Sequence, residues 1–243
     1  MTTAVESIKP IRRSEGLLLS RIEFQRFCEV LDALTAEEWA AQSDCAEWDV
    51  RALSSHVLAG LEGVRRPYLF VRQWRAAKKL GYDDPIDALN EIQVRTHRAK
   101  SGPEIAAAIR AVVEPALRMR SRTPLPLRTL VRIKLPVSGW TPLSWILDVV
   151  YTRDTFLHRV DVCRPLGRDY VLDEVEERIV AEMVREWALR HGQPFTLRLT
   201  GPAGGTYVAG SGGPELEHDA VEWVRMVSGR APADGLLATP VQV

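Results

Sequence analysis

Residues 141–167 read TPLSWILDVVYTRDTFLHRVDVCRPLG, and this run decides the fold class. Thr141-Pro142 pairs an N-cap residue with a proline suited to a first helical turn, and Pro165 and Gly167 close the segment, so one long helix is bounded at both ends. Within it Asp154 and His158 stand four residues apart. That spacing puts both side chains on one face, with Cβ atoms about 5–6 Å apart, close enough to share a cation. Any further ligand has to come from another element.

Helical patterning continues toward the N-terminus. Leu17–Leu34 repeats apolar residues near i, i+3, i+4 spacing, and Thr35-Ala36-Glu37-Glu38 has the form of a capping box. Asp49 is an N-cap for a helix that continues to Gly81 with a kink expected at Pro67, and it carries His56. Asp84-Pro85 and Ser101-Gly102-Pro103 start two more helices, to about Lys100 and Arg122. Three prolines and Gly139 between Thr123 and Thr141 predict a structured loop with a short helical piece at Leu127 to Lys134. Past Gly167 the style changes: an acidic helix from Asp173 to Gly192, two alternating runs, FTLRLTG and TYVAG, and a last helix within HDAVEWVRMVSGR. The expectation is a mainly α protein, a helical bundle over 1–167 followed by a small α+β domain over 168–243.

The bulk numbers narrow the function classes. With 46% hydrophobic and 26% charged residues the chain has material for a real core, which excludes disorder. Formal charge is zero, but residues 1–165 hold 25 basic against 20 acidic residues (+5) and residues 166–243 hold 7 against 12 (−5). Such compensation argues against a nucleic-acid binder, which carries an uncompensated basic face. Cys28, Cys45 and Cys163 are odd in number and form no C-x-x-C, as expected of reduced thiols. The N-terminal sequence has no signal-peptide order, and no run reaches the roughly 18 apolar residues of a membrane span. A cytoplasmic protein without membrane partners is expected.

On the residues alone, two readings of the histidines stay open. His56, among the small residues of SSHVLAG, serves as well as a hydrogen-bonded core residue as it does as a ligand, and Asp154 with His158 is also a plain i,i+4 ion pair. Cys45 reads as a packed small hydrophobe, and His97, His191 and His218 as surface or capping residues. The Gly-rich turns lack the Lys-Ser/Thr of a phosphate loop. Arg118, Arg120, Arg122, Arg128, Arg132 and Lys134 fall in an acid-free stretch, read as a solvated or partner-facing basic surface, although one of them could hold a substrate carboxylate.

A resemblance adds to this reading. Cys45-Ala46-Glu47-Trp48-Asp49-Val50-Arg51-Ala52-Leu53-Ser54-Ser55-His56-Val57 resembles the signature that opens the second helix of the DinB-like metal-binding superfamily, as found in mycothiol-dependent maleylpyruvate isomerases. Gly139-Trp140-Thr141-Pro142, followed by Arg153-Asp154-Thr155-Phe156-Leu157-His158-Arg159-Val160-Asp161, resembles the family's fourth-helix motif. Trp223-Val224-Arg225-Met226-Val227-Ser228-Gly229-Arg230 is similar to the end of its small C-terminal domain.

The resemblance implies a DinB-like four-helix bundle in which His56, Asp154 and His158 hold a divalent metal, zinc in most members. It also implies mycothiol as a co-substrate activated as thiolate and an isomerase or S-transferase acting on a small electrophile, whose carboxylate Arg230 or an arginine of the acid-free stretch would hold, Arg230 being equally readable as a charge complementing a helix C-terminus. One departure stands out, because Asp154 occupies a position where the isomerases carry Glu. Three ligands leave metal positions open, as in catalytic sites. Two alternatives remain at this stage: a hydrolase using metal-bound hydroxide, or a non-catalytic regulatory protein that binds metal or ligand.

Overall fold

In the computed structural model, which describes residues 2–243, the caps read from the sequence, Thr141 excepted, sit where helices begin. After strand β1 (Thr2–Ala4), helix α1 spans Arg13–Asp32 and the single turn α2 spans Ala36–Trp39. The Thr35 hydroxyl accepts from Glu38 N at 3.3 Å while the Glu38 carboxylate accepts from Thr35 N at 2.8 Å. Asp49 Oδ1 accepts from Ala52 N at 2.6 Å and opens α3 (Val50–Arg65). The expected kink at Pro67 is a break, because α3 ends and α4 (Pro67–Ala77) begins across Arg66 at φ −132°, ψ 88°. Proline lacks the N–H a continuing helix needs and drives its predecessor out of helical geometry. Asp84 Oδ1, accepting from Ile86 N at 2.7 Å, starts α5 (Pro85–Thr96), and α6 follows at Gly102–Arg122.

The segment expected to be a loop with a short helical piece at Leu127 to Lys134 holds such a helix, starting and ending earlier, and an unexpected hairpin. Helix α7 occupies Leu125–Leu130, and a hairpin of β2 (Arg132–Leu135) and β3 (Gly139–Pro142) follows, with Lys134 opposite Trp140. Gly139 turns it at φ +67°, a conformation open to glycine. Thr141 therefore lies in a strand rather than capping a helix. The long helix starts at α8 (Leu143–Trp145), passes through a π-helical stretch at Ile146–Val150, and becomes α9 (Tyr151–Cys163).

Residues 13–170 form one unit, in which α1 packs on α6 and α9, and α3 packs on α6, the arrangement of a four-helix bundle. Its core joins Phe24, Phe27 and Leu31 of α1 to Leu53, Val57 and Leu58 of α3 and to Ile105, Ile109 and Ala116 of α6. Two polar contacts fix α9 within it. Arg159 donates from Nε and Nη2 to the two oxygens of Glu23, at 3.0 and 3.2 Å, with both side chains buried. Thr152 Oγ1 donates toward Gly16 O (3.2 Å) and Asp148 O (3.0 Å).

Gly16 is what lets α1 approach the π-helical stretch, since a Cβ there would stand 2.4 Å from the Asp148 carbonyl oxygen, a backbone atom. Gly16→Ala is expected to lower stability by about 1–3 kcal/mol, the usual cost of overpacking. A urea midpoint equal to wild type would show that the contact tolerates a methyl group.

Residues 2–12 and 171–243 form the other unit. The N-terminal segment, placed by sequence with the bundle, thus groups with the C-terminal residues. Helix α10 (Glu174–His191) starts at Asp173, whose Oδ1 accepts from Val175 N at 2.9 Å, and ends at Gly192 in the left-handed region, φ +63°. Strands β4 (Phe195–Thr200), β5 (Gly205–Ala209) and β6 (Glu215–Asp219) join β1 in a sheet of order β1-β5-β4-β6. The β1–β5 and β4–β6 pairs are parallel and β4–β5 is antiparallel. Helix α11 (Ala220–Val227) follows, and Trp187, Trp223 and Phe195 meet edge to face in the core. The chain is mainly α, and among the described residues no helix is long and apolar enough to cross a membrane.

Candidate metal centre

α3 and α9 bring the three candidate ligands together. One ligand atom each from His56, Asp154 and His158 lies within 4.8 Å of the other two. His56 stands almost two turns into α3, and the neighbouring Ser54 and Ser55 return their hydroxyls to Val50 O and Arg51 O, both at 2.8 Å, so the helix buries them without loss of hydrogen bonding. Its ring centroid lies 5.1 Å from that of Trp48 and 5.3 Å from that of His158.

His158 has a carboxylate on each side. Nδ1 lies 2.9 Å from Asp161 Oδ2, and Nε2 lies 3.2 Å from Asp154 Oδ1. Asp161 is fully buried and so has a single orientation to offer; accepting from Nδ1–H, it turns Nε2 toward Asp154 and His56. Nε2 is buried and makes no well-directed hydrogen bond, despite the short approach of Asp154. Two atoms bound to one ion at about 2.0–2.2 Å stand about 3 Å apart without hydrogen bonding to each other. The donor set and its spacing therefore fit a divalent cation. The Asp154 side chain keeps 30% of its exposure against 5% for His158, so the cluster can be reached from outside.

Burial pulls the His158 pKa down, but the Asp154 charge and the hydrogen bonds of Asp161 and Cys45 hold it well above the usual imidazole value. Burial also pushes the Tyr151 phenol, one turn before Asp154, up to about 12, with Asp154 adding to the rise and Arg120 opposing it.

The loop before α3 frames this cluster. Ser43 Oγ donates to Trp48 O at 2.7 Å, Gln42 Nε2 reaches Cys45 O and Trp48 O at 2.9 Å each, and Asp44 N donates to Asp161 O at 2.9 Å. Cys45 is more than a packed hydrophobe, because its Sγ donates to Asp161 Oδ2 at 3.3 Å. Cys45, His158 and Asp161 also lie within ligand distance of one another, but Asp161 already satisfies both of the others. Asp161 and Trp48 lay inside the quoted motifs with no role attached, and the His-x-x-Asp spacing was the available signal.

Other sequence expectations resolve as follows. His97 is buried rather than on the surface, yet it stands at the C-cap of α5, and its Nε2 lies 3.0 Å from Glu62 Oε2. Arg118, Arg122, Arg132 and Lys134 are exposed, as a solvated surface requires, but Arg120 and Arg128 turn inward. Arg230 follows α11 in the C-terminal unit, where its N–H donates to Arg225 O at 2.8 Å and its carbonyl accepts from Arg225 Nη2 at 3.3 Å.

Residues 20–163 match the model of the family described as the mycothiol maleylpyruvate isomerase N-terminal domain. Among solved structures, the fold is similar to the crystal structure of the mycothiol-dependent maleylpyruvate isomerase, with a TM-score of 0.61 and 18% sequence identity. A variant of that enzyme with one histidine changed to alanine gives a TM-score of 0.60 at the same identity. Each match covers 94% of this chain and 92% of the other. No curated protein matches the chain.

Proposed function

We propose, for a chain that belongs to the mycothiol maleylpyruvate isomerase N-terminal domain family, a divalent-metal-dependent, mycothiol-using isomerase or S-transferase acting on a small electrophile. The observation that carries the reading is the convergence of His56, Asp154 and His158 in a cluster with outside access. A dication held there, zinc being the expected one, supplies the positive charge that keeps a thiol in its thiolate form near neutral pH.

The protein's own residues do the positioning. Asp161 fixes the His158 tautomer through Nδ1 and is itself held by the 42–49 loop through its backbone carbonyl. Trp48 backs His56 and restricts its ring. The thiolate sulfur adds to one carbon of an activated double bond and the electron pair moves onto the conjugated carbonyl. The former double bond then turns as a single bond, and expulsion of the thiolate restores it in the trans form. Arg230 is assigned to the substrate anion on the resemblance of its Gly229-Arg230 ending. Three free thiols and no membrane-crossing helix among the described residues fit a reducing cytoplasm.

The test is elemental analysis of purified protein combined with mycothiol binding before and after chelation. One equivalent of metal and chelator-sensitive mycothiol binding that His56→Ala removes is the expected result. Metal-loaded protein that ignores mycothiol would end the proposal.

A further inference from the structure

Arg120 is the one inward-facing arginine of α6, with 2% of its surface exposed. Its Nη1 donates to Ser20 Oγ at 3.0 Å, and Ser20 shares a hydrogen bond of 2.7 Å with Thr152 Oγ1, two residues before Asp154. Nε and Nη2, by contrast, are buried with no hydrogen-bond partner. Those two N–H groups lie along one edge of the guanidinium and form the fork that matches a carboxylate.

This chain shows how that fork is used. Arg159 grips Glu23, Arg168 grips Glu38 and Arg21 grips Glu114, each through Nε and Nη2. Arg120 presents the same edge to no protein carboxylate. Asp148 is the nearest counter-charge, but its Oδ2 is taken by Arg128 Nη2, and its Oδ1, also buried, makes no hydrogen bond to the Arg120 fork. Burial pulls Arg120 down to about 10, so it stays cationic at neutral pH. Leaving charged donors buried and unmatched is costly unless something occupies them in the working state.

The position of the fork relates it to the metal cluster. Tyr151, Asp154 and His158 follow one another at i, i+3, i+7 on α9, hence along one face. Asp154 raises and Arg120 lowers the Tyr151 pKa, so both charges lie near the phenol. Three residues of helix rise about 4.5 Å, a span that a small organic acid covers.

We propose that the Nε/Nη2 edge of Arg120 binds the carboxylate of the electrophile, with Tyr151 beside it, and so orients the reactive double bond toward the His56, Asp154 and His158 cluster. This rests on the thiol-addition reading above, and it gives Arg120 a carboxylate of the substrate, leaving to Arg230, which only the resemblance singles out, at most a second anionic group.

The probes are maleate and its dimethyl ester, titrated into metal-loaded wild type, Arg120→Lys and Arg120→Gln, with metal content, melting temperature and mycothiol affinity measured on each. Arg120→Lys keeps the charge but loses the fork, and it covers the case in which Arg120→Gln fails to fold. Wild type is expected to bind maleate at least about 30-fold more tightly than the ester, and both variants to lose about 30-fold in maleate affinity with unchanged metal content. For maleylpyruvate turnover the same loss should appear in KM, with kcat nearly constant. Maleate binding as tight in Arg120→Lys as in wild type, no preference over the ester, or a maleate-soaked crystal with only ordered water at the fork would each overturn the assignment. Failure of wild type to bind mycothiol would instead sink the thiol reading, and the maleate comparison would still report on Arg120.

Discussion

Metal affinity is expected to fall by more than about 100-fold in His158→Ala and by about 10- to 100-fold in Asp161→Asn. The first change deletes a ligand that α9 holds buried between two carboxylates. The second keeps the shape of the side chain but removes the charge that holds the ring through Nδ1, so its loss measures what that charge adds to the ring's orientation and basicity. Proton competition adds a pH dependence whose sign follows from the raised His158 pKa. A raised pKa favours the protonated ring, so protons compete with the metal and binding weakens as pH falls. In metal-free protein the stabilisation is fully present below the unfolded value near 6.5 and is lost as pH rises through the raised folded value. Competition against a chromophoric chelator at several pH values reads all three effects. Wild-type zinc affinity in His158→Ala would remove this residue from the ligand set.

Glu23→Ala should be the most damaging single change away from the metal cluster. It would take from the Arg159 guanidinium the carboxylate that its Nε and Nη2 hold in the bundle interior, where both groups are now shielded from water. Breaking a buried pair from one side costs about 3–5 kcal/mol. In a chain of 243 residues that corresponds to a fall in Tm on the order of 10 °C. Replacing both residues by methionine should recover most of the loss, because no uncompensated charge is then left behind. Thermal melts of the single and double variants decide the matter: a single variant that melts with wild type would mean that Arg159 finds another counter-charge.

Local signals carried much of the fold. Asp49, Asp84 and Asp173 cap helices because their side chains bond to backbone two or three residues away, and such chemistry is written in consecutive letters. The i,i+4 spacing of Asp154 and His158 likewise put both on one helix face. His56 was different: nothing in its own helix pointed to a partner about a hundred residues away, and only the family resemblance linked the two. Arg120 was misjudged within a basic stretch because burial depends on which helix face meets α1, and that is a tertiary fact. The β2–β3 hairpin was missed since its strands are four residues long, too short for the alternation of Arg132-Ile133-Lys134-Leu135 to stand out beside the surrounding prolines. β6, ELEHD, is charged at three of five positions and looked nothing like a strand.

The parallel pairing of β1 with β5 sets Thr2 beside Thr206. During synthesis the bundle residues emerge in one uninterrupted run, while the first strand must wait for a partner 204 positions downstream. At a ribosomal pace of about 5–20 residues per second that delay is roughly 10–40 s, far longer than a helical bundle needs to collapse. The sheet is therefore the last part to be assembled, and its first strand stays unengaged throughout that interval.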